Sequence, residues 1–64
     1  MNVQRALKII PREAVISAEC KPNFYGGAWV IWARMDGYER PVTQFTEPFS
    51  AARWVHTYYR ALEV

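Results

Sequence analysis

Cysteine is nearly absent: Cys20 is the only one in 64 residues, so no disulfide can close within the chain. Histidine is as scarce. His56 stands alone, and one Cys, one His and scattered carboxylates lack the paired spacing of a structural zinc site. Neither a metal nor another cofactor is therefore expected. The chain has no apolar run long enough to span a bilayer and no N-terminal apolar stretch of the secretory type. With the lone cysteine, these features lead us to expect a soluble protein of a reducing, cytoplasmic compartment. Internal repeats and low-complexity stretches are missing too.

Catalytic signatures are equally thin. The carboxylates Glu13, Glu19, Asp36, Glu39, Glu47 and Glu63 show no paired arrangement. Gly26-Gly27 is not followed by the Lys and Ser/Thr of a phosphate loop. A thiolate dyad of Cys20 with His56 requires an accessible thiol, and strand alternation puts Cys20 on the side expected to be buried, where a thiol stays protonated. An enzyme is not expected.

What the chain does have is apolar and aromatic residues. Hydrophobic residues make up 52% and aromatics 16%, including three Trp and four Tyr. A domain near the lower size limit for independent folding has too much surface to bury all of them, and with disulfides and metal set aside a partner is the remaining outlet. The net charge of +2 is carried mostly by arginine, the cation better suited to interfaces.

Residues 1–64 read as one α+β domain: an N-terminal arm over 1–13, an antiparallel sheet over 14–45 and a helix over 47–63. The arm is ambiguous. Val3, Ala6, Leu7 and Ile10 fit a helical stripe, while alternation through residues 2–10 fits a fourth strand; a strand or extended arm is the reading taken. Pro11 ends the segment either way. Ala14–Cys20 alternates as a strand, with Ala14, Ile16, Ala18 and Cys20 on one face and Val15, Ser17 and Glu19 on the other. Residues 21–27 are loop-like in composition, and Phe24 and Tyr25 within them are candidate exposed anchors. Ala28–Met35 is apolar on both faces and so reads as the central strand.

Asp36-Gly37 is a two-residue hairpin signal. It sets Met35 opposite Tyr38, Arg34 opposite Glu39, Ala33 opposite Arg40, Trp32 opposite Pro41 and Ile31 opposite Val42. Pro41 makes the Tyr38–Phe45 strand an edge. Thr46 is a candidate helix cap before Glu47-Pro48, and Ala51, Trp54, Val55, Tyr58 and Leu62 form an amphipathic stripe.

The C-terminal helix can cover one sheet face, and the face with Trp29, Ile31, Ala33, Met35, Tyr38 and Val42 is the larger. The second face, with Val30, Trp32, Arg34, Glu39, Pro41, Thr43 and Phe45, is then either covered by the arm or left open. If open, Val30, Trp32, Pro41 and Phe45, with Phe24 and Tyr25, form a protein-interaction patch anchored by Trp32. The expected function is a small regulator or inhibitor of the bacterial or phage accessory type. It would bind a larger protein or form a homodimer, by face contact or by strand addition at the sheet edge.

The alternative is nucleic-acid binding. Three antiparallel strands followed by a helix, over residues 14–62, resemble in element order the small DNA-binding domains of phage integrase N-termini and plant AP2-type factors. No motif matches. The resemblance implies reading DNA through the open sheet face, where this chain offers Arg34 but also Trp32, Val30 and Glu39. A separate basic surface would combine Arg53, His56 and Arg60 of the helix with Arg40.

Overall fold

A computed structural model of the chain describes residues 1–21 and 28–63. Asn2 starts the first element. Its side-chain oxygen accepts from the Arg5 N–H at 2.8 Å, a helix cap, and α1 runs Val3–Ile9. The arm is therefore a helix and not a fourth strand. Ile10 ends it in an extended conformation (φ −91°, ψ 131°), as a residue before proline must.

Three strands follow, β1 (Val15–Cys20), β2 (Trp29–Met35) and β3 (Tyr38–Phe45), then α2 (Pro48–Leu62). The sheet is antiparallel in the order β1-β2-β3, with β2 central as its composition implied. Gly37 turns the hairpin at φ 69°, a conformation that glycine adopts without steric cost. The pairs Met35–Tyr38, Arg34–Glu39, Ala33–Arg40 and Trp32–Pro41 match the expected register.

The fifth expected pair does not form. Ile31 faces Thr43 instead of Val42, because a β-bulge after Pro41 inserts Val42 as an extra residue. The slip reverses the facing of everything beyond it. Val42 enters the core at 8% exposure, Phe45 pairs with Trp29 and packs against the same core, and the Thr43 hydroxyl accepts from the Met1 amino group at 3.2 Å. Thr43 and Phe45 thus belong to the helix side of the sheet. The bulge lets both Val42 and Phe45 reach the core, which strict alternation forbids.

One core sits between the sheet and the two helices, built around Ala6, Ile16, Ile31, Ala33, Trp54 and Tyr58. Trp54 stacks on Tyr58 (5.7 Å, 8°), and the Trp54 indole N–H donates to the Met1 carbonyl at 3.1 Å, tying the N-terminus to α2. The helix stripe holds: Ala51, Trp54 and Tyr58 are buried, Val55 and Leu62 half-buried. Thr46 does not cap α2. The cap position is Glu47, which makes no side-chain capping bond. Helix α1 packs on α2, on the same side of the sheet, and so leaves the second sheet face without a helix among the described residues. Helix α2 follows β3, packs against all three strands and reaches Ile16 of β1 through Tyr59. Cys20, at the end of β1, is exposed, contrary to expectation.

Candidate functional site

The helix-free face is organised in rows across the three strands. Val15, Arg34 and Glu39 form one row, Ser17, Trp32 and Pro41 the next, and Glu19, Val30 and Gln44 the third. Trp32 lies at the centre and is half-buried. The Arg34 guanidinium lies over its ring, 5.1 Å from the centroid, a cation–π contact.

Arg34 is held there from both sides. Its Nη1 donates to the Glu19 carboxylate, and its Nε lies 3.4 Å from Glu39 Oε2. Lys21 adds a second cation to Glu19 at 3.0 Å. The hydrogen bonds from Arg34 and then Lys21 push the Glu19 carboxyl down to about 2, against its ordinary 4.5. The bond from Glu19 likewise pushes Arg34 above its usual value. These pairs are solvent-accessible and add little to stability. Their consequence is positional: they fix Arg34 as a lid on Trp32 and neutralise the face internally.

Of the residues expected at this patch, Trp32 and Pro41 are in place, paired across β2 and β3 and half-buried. Val30 lies on the expected face but is fully buried at 0% exposure, so it offers a partner no surface. Phe45 is carried to the other side by the bulge. Phe24 and Tyr25 lie outside the described residues. The exposed part of the face is therefore displaced toward the Asp36-Gly37 turn. There Val15, 62% exposed, joins Trp32, Arg34 and Pro41. Strand alternation already placed Val15 and Glu19 on this side of β1.

Both outer edges of the sheet are interrupted as templates for strand addition. The Tyr59 hydroxyl, reaching from α2, accepts from the Ile16 N–H at 2.8 Å and donates to the Ile16 carbonyl at 3.4 Å. It occupies the outward-facing N–H and carbonyl of Ile16, one of the sets of groups that an incoming strand would use on β1. On β3, Pro41 supplies no N–H and the bulge at Val42 breaks the ladder.

The basic set does not form one surface. Arg53, His56 and Arg60 share the exposed side of α2, whereas Arg34 lies on the opposite layer, engaged with Glu19 and Glu39. Arg40 is exposed on β3, opposite Ala33. On the helix layer, Arg5, Lys8, Arg53 and Arg60 make no ion pair among the described residues. No group of three or more His, Cys, Asp or Glu among the described residues is placed to hold a metal, and no described helix is long and apolar enough to cross a membrane.

No protein-family model matches the chain, and no curated protein or solved structure matches it either.

Proposed function

We propose that the chain is a small protein-interaction module that docks its helix-free sheet face on a larger folded protein and acts by covering that protein's surface. The observation that carries this reading is the Trp32 ring at the centre of that face, roofed by Arg34 and flanked by exposed Val15 and by Pro41. Trp and Arg are the residue types that most often dominate binding energy at the centre of an interface. The molecule measures 33 × 26 × 15 Å. Its broad side is of the order of the ~800 Å² per partner that a standard interface uses. Glu19 and Glu39 neutralise Arg34, so the complementary surface is apolar at its centre and polar at its rim, with no strong charge of its own. Interruption of β1 at Ile16 and of β3 at Pro41 and Val42 favours face-on docking over strand addition.

A second reading, nucleic-acid binding by the helix layer, is favoured by Arg5, Lys8, Arg53 and Arg60, which make no ion pair among the described residues. One experiment separates the two. Immobilised wild-type chain, Val15→Glu, Trp32→Ala and Arg60→Glu are each exposed to lysate of the source cells, with circular dichroism confirming the fold. The sheet-face reading expects a protein retained by wild type and Arg60→Glu and lost with Val15→Glu and Trp32→Ala. Retention that is nuclease-sensitive and lost only with Arg60→Glu supports the second reading and contradicts the first.

A further inference from the structure

Phe49, in the first turn of α2, is 74% exposed and stands off the buried stripe of Ala51, Trp54 and Tyr58. Beside it a groove of about 380 Å³ opens between α1, the end of β3 and α2. Val3, Phe45 and Trp54 wall it, and Ser50, Arg53 and Thr57 form its α2 side. Ser50 and Arg53 are the immediate helical neighbours of Phe49, yet the Phe49 ring stays in solvent and does not fill its own groove. An apolar knob and an apolar hole therefore sit within one helical turn of each other on a single chain. Two copies related by a two-fold axis fill both holes at once, and the association closes at two.

The charges flanking the knob fit the same operation. Glu47 precedes it and Arg53 follows it; both are exposed, and neither makes an ion pair among the described residues. When two α2 N-terminal turns cross antiparallel, Glu47 of one copy meets Arg53 of the other, twice. We propose that the chain forms a symmetric homodimer in which each copy inserts Phe49 into the groove beside Val3, Phe45 and Trp54 of its mate, with Glu47 and Arg53 pairing across the axis. This interface lies on the helix side and leaves the helix-free sheet face of each copy outside it. It stands independently of the sheet-face function, and with that function it makes the assembly bivalent.

Analytical ultracentrifugation of the full chain, from micromolar to millimolar, tests the dimer. Wild type is expected to show a reversible monomer–dimer equilibrium, and Phe49→Asp to be monomeric with an unchanged circular dichroism spectrum. Glu47→Arg and Arg53→Glu each place like charges together twice and should weaken association on the order of tenfold. The double variant should restore it. A wild-type chain that is monomeric throughout, a dimer that survives Phe49→Asp, a dimer lost with Val15→Glu, or a double variant no tighter than the single ones overturns the proposal.

Discussion

Replacing Tyr59 by Phe deletes one oxygen and tests whether the β1 edge is held closed from α2. That oxygen serves two backbone groups of one residue, the Ile16 N–H at 2.8 Å and the Ile16 carbonyl at 3.4 Å. The shorter bond is well formed and the longer one is at the limit of useful length. One net hydrogen bond contributes about 1 kcal/mol, and a partly buried N–H left without a partner raises the loss to about 1–2 kcal/mol. In a domain of this size each kcal/mol moves Tm by roughly 4–8 °C. Tyr59→Phe should therefore lower Tm measurably, and the Ile16 amide should lose hydrogen-exchange protection ahead of its neighbours. The adjacent Tyr58 provides the contrast. Its hydroxyl is fully buried with no hydrogen-bond partner among the described residues, and burial pushes its pKa up. Tyr58→Phe should be neutral or up to about 1 kcal/mol stabilising, because an unsatisfied polar group is removed while the ring stays stacked on Trp54. A Tyr59→Phe chain as stable as wild type, with Ile16 equally protected, would refute the reasoning.

Two further outcomes follow from the sheet. Gly37→Ala should cost about 1–2 kcal/mol in a denaturant titration, all of it from backbone geometry: the residue sits at φ 69° and an added Cβ meets nothing within 4 Å. A neutral substitution would contradict a strained turn. The Glu19 carboxyl titrates near 2 in the folded chain against an ordinary 4.5. Its contribution is therefore complete above about 4.5 and is lost as pH falls toward about 2. Because the pairs are exposed and add little to stability, the carboxyl itself is the readout: its side-chain ¹³C resonance should titrate well below the ordinary 4.5 and move back toward it in Arg34→Gln, and an ordinary carboxylate titration in wild type would sink the assignment.

The strand order, the hairpin register as far as Pro41 and the buried stripe of α2 were legible because each rests on local chemistry: a turn dipeptide, an alternation, a helical period. Two features were not. The arm satisfied both periods over so few residues that its periodicity could not decide, and the deciding signal was Asn2, whose capping of Arg5 favours a helix. The bulge was signalled only by Pro41, which reads equally as an edge marker or a bulge marker. Missing it misplaced Phe45, since one inserted residue exchanges the two faces. Of the candidate patch, Trp32 and Pro41 were legible from register alone. The Glu19–Arg34–Glu39 arrangement was legible only as its Arg34–Glu39 half, because Glu19 approaches Arg34 diagonally across Trp32 and not as a direct cross-strand neighbour.

The sheet-face account is tested most directly by the indole N–H resonances of the ¹⁵N-labelled chain as the protein retained from lysate is added. Trp32 and Trp54 report opposite sides of the molecule, one beneath Arg34 on the helix-free face and the other bonded to the Met1 carbonyl on the helix side. At fixed chain concentration the account predicts that the Trp32 indole shifts or broadens with partner while Trp54 stays in place. A perturbed Trp54 with an unmoved Trp32 would contradict it.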